Sequence, residues 1–191
     1  MKGSVDGAGR DGVHAHLRRE MTNVGVRFVT AVQTSTFYRW DNRFTVDAAR
    51  MNRAWMVGIC TLDPDDGHSP GLREHYARND NIRGMRSIPA ANGKLDDPGV
   101  AKLWEKAEQL GIVINALINR DKSEEPVTLL ARFPRLRVVL DHCLNLKAGP
   151  DMGRTLEGLV RLAKQPNLYP KLTLVPTGSA KEYPFRDMHD A

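Results

Sequence analysis

Apolar positions along the 191-residue chain follow two rhythms. Short dense runs such as Ile112-Val-Ile-Asn-Ala-Leu-Ile118 and Val138-Val-Leu140 have the character of strands covered on both faces. Between them apolar residues return every three or four positions, as at Val100, Leu103, Trp104 and Ala107, which marks one face of a helix. The rhythms predict strands over residues 27–33, 55–62, 82–88, 112–118, 138–142 and 168–175. They predict helices over 12–23, 41–53, 69–79, 98–110, 123–133 and 152–165, the last being the longest. Residues 1–11 read as a flexible end, and 183–191 as the beginning of one more helix.

Boundary residues support this division. Asp41-Asn42 and Ser69 are placed to cap helices, Asp97-Pro98 starts one with proline at its first position, and Gly111 stops it. Strand centres fall near positions 30, 58, 85, 115, 139 and 171, a period of about 28 residues. A strand and a helix alternating at that period specify parallel βαβ units with right-handed crossovers. The expected fold is α/β: a partial (β/α)₈ TIM barrel of about six parallel strands over residues 12–191. A complete barrel takes about 250 residues, roughly two units more. A six-strand doubly wound sheet also fits the length, yet no glycine-rich phosphate loop follows any strand.

Composition narrows the class. With 41% hydrophobic and 27% charged residues the chain can bury a core. Cys60 lies inside a predicted strand and Cys143 directly after another, without a spaced framework, so they read as reduced, buried thiols of a cytoplasmic protein. No apolar run approaches the ~18 residues of a membrane span, and the first residues lack the apolar core of a signal peptide. A net charge of +5 raises nucleic acid as a partner. The basic residues are interleaved with acids along helices, as in Arg18-Arg19-Glu20, which favours solvated faces and neither a nucleic-acid nor a membrane surface.

Barrel enzymes keep their chemistry at the C-terminal ends of the strands. There the chain places Gln33, Ser35, Asp63, Arg86, Asn115, Asn119, His142, Lys171 and Thr173. His142 is the foremost candidate, because an imidazole closing an apolar strand needs partners for two ring nitrogens, and a metal or substrate oxygen would serve. Strand alternation puts Val138, Leu140 and His142 on one face, with Val139 and Asp141 on the other. Arg86 carries a fork suited to a carboxylate, with an ion pair to Asp63 as its structural alternative. Cys143 faces away from His142 by the same alternation, so the two do not form a nucleophile pair. His14-Ala-His16 has metal-ligand spacing for a strand, but Leu17-Arg-Arg-Glu-Met continues it as a helix, where positions two apart diverge by about 200°.

Several short motifs together resemble the amidohydrolase-related family (amidohydrolase family 2), whose members include lactonases, decarboxylases and hydratases. They are Asp41-Asn42, Gly58-Ile-Cys-Thr-Leu-Asp-Pro64, Ile82-Arg-Gly-Met-Arg86, Leu103-Trp104 with Leu110-Gly111, Phe133-Pro134 leading into Val138-Val-Leu-Asp-His142, and Pro166-Asn167-Leu-Tyr-Pro-Lys171. The resemblance implies hydrolysis of a lactone or other C–O or C–N bond in a small, anionic substrate, with one divalent metal such as zinc or with none. It implies that His142 binds metal or polarises the scissile carbonyl, and that Arg86 contacts an acidic substrate; Ser35, Asn115 and Lys171, by their strand-end positions, are the further substrate-binding candidates. The family's first-strand HxH and last-strand general-base Asp find no counterparts, so the chain reads as an internal piece of such a barrel. The alternative is an inactive barrel module that binds an anion through Arg86 and Lys171. Open barrel edges would favour a homo-oligomer.

Overall fold

The computed structural model describes residues 7–189. A helix, Gly7–Asn23, leads into β1 (Val29–Val32), and five more strands follow: β2 (Met56–Thr61), β3 (Ile82–Ser87), β4 (Val113–Ala116), β5 (Val138–Leu140) and β6 (Leu168–Pro170). All neighbours pair in parallel, in sequence order, leaving β1 and β6 as the two edges of an unclosed sheet. Helices Arg43–Met51, Ser69–Asn79, Pro98–Leu110, Glu125–Arg132 and Met152–Leu162 connect the strands, so the predicted alternation is the observed one.

Strand register divides the sheet into two chemically different faces. Met85, Ile114 and Val138 form one row and are almost wholly buried, and Ser87 on the same side of β3 accepts a 2.9 Å hydrogen bond from Trp104 Nε1 of helix Pro98–Leu110. This is the helix-covered face, where the main core lies. The opposite row runs Thr61, Arg86, Asn115, Val139 and Tyr169, and it carries most of the polar side chains. Arg73 of helix Ser69–Asn79 is wholly buried on the covered side, where its Nη1 donates to Cys60 Sγ at 3.5 Å. Burial pushes the Cys60 thiol up from its usual pKa and the Arg73 guanidinium down from its own. Both cysteines are buried and unbridged, as expected.

Most departures from the predicted boundaries lie at element ends. The first helix begins at Gly7 rather than residue 12, because extending a formed helix backwards costs far less than nucleating one. At 17 residues it is longer than Met152–Leu162, the expected longest. Ser69 is the first residue of its helix and no cap. Asn42 spends its side chain elsewhere: it donates to Thr61 O at 2.8 Å and accepts from Thr61 N at 2.8 Å, fastening the end of β2. β6 ends at Pro170, since past the Lys171 N to Leu140 O bond the chain turns away, with Leu174 at φ 61°. The helix expected over 183–191 is reduced, among the described residues, to one 3₁₀ turn at Arg186–Met188.

Candidate functional site

At the C-terminal ends of β3 to β6 the polar row converges on Asp141, whose side chain has no solvent exposure. Lys171 Nζ lies 2.6 Å from Asp141 Oδ1, Asn115 Nδ2 donates to the same oxygen at 3.3 Å, and Arg86 Nη2 reaches Oδ2 at 3.3 Å. Four strands thus each contribute one group, or the residue just after the strand. The register explains this: Arg86 is level with Asn115 and Val139, and Asp141 lies one pleat beyond Val139 on the same face. Arg86 pairs with Asp141 two strands away, and not with Asp63, its alternative partner from the sequence. Asp63 instead accepts from the amide of Asp65 at 3.0 Å in a turn.

His142 escapes strand alternation altogether. β5 stops at Leu140, and His142, Cys143, Leu144 and Asn145 all have φ between 48° and 60°. A left-handed turn of four non-glycine residues carries a cost of roughly 1–2 kcal/mol per residue, lower at Asn145 because asparagine tolerates this region. Tertiary contacts hold it: Cys143 and Leu144 are buried, and Asn145 Nδ2 donates to Asn119 Oδ1 at 2.6 Å. The turn brings His142 Nδ1 within 2.6 Å of Thr173 Oγ1 after β6. The ring borders a cavity of about 340 Å³, together with Asn119, Lys147, Thr173 and Thr177. Burial holds the imidazole pKa below its usual value; neighbouring Asp141 opposes that, while Lys171 and Arg86 add to it.

The remaining candidates disperse. Ser35 opens a short helix, Ser35–Tyr38, and lines a separate cavity of about 300 Å³ with Thr36, Arg39, Trp40 and Ile88. Gln33 is buried and donates to the Arg39 and Asp41 carbonyls. His14 and His16 lie on the first helix, where His14 meets Asn52 and His16 meets Arg19, so they share no ligand. Asp141 is the residue that sequence reasoning undervalued. Its signal was parity, because counting two residues on from Val139 puts it with Arg86 and Asn115 once the register is known.

A divalent ion does not find a complete ligand set here. Among the described residues no group of three or more His, Cys, Asp or Glu side chains is placed to hold a metal ion. His142 faces a hydroxyl, and the Asp141 oxygens already accept from Asn115 and Arg86 and are ion-paired with Lys171. No helix among the described residues is long and apolar enough to cross a membrane.

A parallel sheet with helices between its strands, and polar groups gathered at the strand C-terminal ends, defines a barrel-type α/β protein. The family model for amidohydrolases matches residues 9–190, and the chain belongs to that family. No curated protein sequence matches it. An amidohydrolase from Burkholderia multivorans, solved with HEPES bound, superimposes with a TM-score of 0.72 at 20% identity, over 87% of this chain and 61% of its own. A second crystal form of that protein, with zinc bound, gives 0.70 at 21% identity, over 87% and 60%. A probable 2-pyrone-4,6-dicarboxylic acid hydrolase from Acinetobacter baumannii, with citric acid bound, gives 0.68 at 15% identity, over 85% and 60%. The chain therefore spans about three fifths of the length of these proteins. With TIM-barrel proteins among its structural neighbours, the open six-stranded sheet is a partial barrel.

Proposed function

We propose that the chain is a hydrolase of the amidohydrolase-related type, acting on a lactone or other C–O or C–N bond of a small carboxylated molecule. The observation that carries this reading is an imidazole, its pKa lowered by burial, set beside a cationic cluster at the strand C-terminal ends. In the tautomer where the Thr173 hydroxyl donates to His142 Nδ1, the ring proton sits on Nε2. That N–H can donate to a carbonyl oxygen and stabilise negative charge as water adds to the carbon. Arg86 and Lys171 supply charge-assisted donors for the substrate's carboxylate.

The base is the weak point. Asp141 is buried and shared among Arg86, Asn115 and Lys171, and Asp63 accepts a turn amide, so neither is free to activate water. That observation favours a second reading, an anion-binding module with little turnover of its own. Loss of a general base lowers rate by about 10²- to 10⁴-fold. The 191-residue chain is therefore expected to hydrolyse a panel of carboxylated lactones only slowly, with His142→Ala abolishing what remains. Rapid turnover unaffected by His142→Ala would remove His142 from the chemistry, and no turnover alongside tight carboxylate binding would favour the second reading.

A further inference from the structure

The charges at the strand ends do not cancel. Arg86 and Lys171 bring two positive charges to a single Asp141 carboxylate, and Asn115 adds only a dipole, so the cluster keeps one unit of positive charge. Donors are left over as well. Arg86 reaches Asp141 through one Nη, while its Nε is buried without a hydrogen-bond partner. Lys171 has three N–H bonds and directs Nζ at Asp141, with its side chain still 35% exposed. The Asp141 oxygens already accept from Asn115 and Arg86 and are ion-paired with Lys171, so this carboxylate is fully engaged by the groups around it.

The unspent donors and the residual charge together match one carboxylate: one negative charge, and two planar oxygens for a guanidinium edge and an ammonium. We infer that Asp141 is a specificity-determining residue, which neutralises one of the two cations and so makes the cluster a receptor for a single carboxylate rather than for two adjacent ones. A second carboxylate beside the first would place an unmatched negative charge against buried Asp141, and its lost hydration would not be repaid. The inference rests on the reading above that the site takes a carboxylated molecule, and it adds how many charges the receptor accepts.

Benzoate and phthalate differ by one adjacent carboxylate, and calorimetric titration of the 191-residue chain with each provides the test. Wild type is expected to prefer benzoate. Asp141→Asn leaves two uncancelled cations and should shift the benzoate-to-phthalate ratio toward phthalate by about tenfold, the scale of one charge-assisted hydrogen bond. Lys171→Met removes a partly exposed cation and should weaken benzoate by about tenfold, which keeps the inference open to refutation if Asp141→Asn does not fold. The double variant restores a single net positive charge and should regain the wild-type preference. A purely structural role for Asp141 would lower stability without moving the ratio. Benzoate binding with the ratio unchanged in Asp141→Asn, or undiminished in Lys171→Met, overturns the inference and leaves the carboxylate reading standing. Failure of wild type to bind either anion overturns both.

Discussion

His142 shows how far environment decides what a residue is. Burial depresses its pKa in the fold, whereas in the unfolded chain it returns to about 6.5. Above that value neither state is protonated and its effect on stability is nil. As pH falls below it, the unfolded state takes up a proton that the folded state resists, so stability drops until the folded pKa is passed. Carboxylates held low by partners, such as Asp41 beside Arg43 and Glu74 beside Lys106 and Arg78, lose their contribution only below their ordinary values near 4. Thermal unfolding followed between about pH 7 and pH 5 should therefore show a falling midpoint that His142→Gln flattens. An equal fall in the variant would assign the dependence to another group.

At the scale of elements, helix Pro98–Leu110 illustrates a segment specified by its own residues. Asp97 accepts from Gly99 N at 2.7 Å, Pro98 occupies the first turn, and Gly111 takes φ 64° at the end, where only a residue without Cβ is unstrained. Asp97→Ala should cost about 1 kcal/mol in chemical denaturation. A methyl group at Gly99 would run into the Pro64 carbonyl oxygen, which is backbone and cannot swing aside. Gly99→Ala is thus expected to destabilise by roughly 1–3 kcal/mol, and a neutral result would mean that the preceding loop yields more readily than its packing implies. The turn after β5 is the opposite case. Nothing within His142-Cys-Leu-Asn145 favours four left-handed residues in succession, and its conformation comes from contacts with Asn119, Thr173 and the core.

The whole molecule is governed by its open sheet. Among the described residues β1 and β6 each have a neighbour on one side only, and apolar side chains near them are exposed, including Phe28 at 73% before β1 and Leu172 at 68% after β6. An edge strand with apolar flanks is a template for pairing. The purified chain is expected to associate, so size-exclusion elution should shift with concentration. A monomer across the whole range would show that these edges are covered by other means.

Much of this architecture was legible in local patterns. Strand and helix identity follow from short dense apolar runs and from a 3.6-residue periodicity, stops from Asp-Pro and Gly, and parallel pairing from a repeat too long for hairpins. Hence six strands, their order and the strand-end positions of Arg86, Asn115 and Lys171 could be read from the chain. Which of those groups meet was not legible, because contact between strands depends on register, and a slip of one residue exchanges the faces. Alternation correctly set Asp141 opposite Leu140, but only the pairing of β3, β4 and β5 places it against Arg86 and Asn115. His142 lies further from prediction, since its direction depends on a left-handed turn that neighbouring segments stabilise. Local sequence encodes the elements because conformational propensity, capping and the spacing of apolar residues act over a few neighbouring positions. The meeting of four side chains from four strands is a property of the assembled sheet.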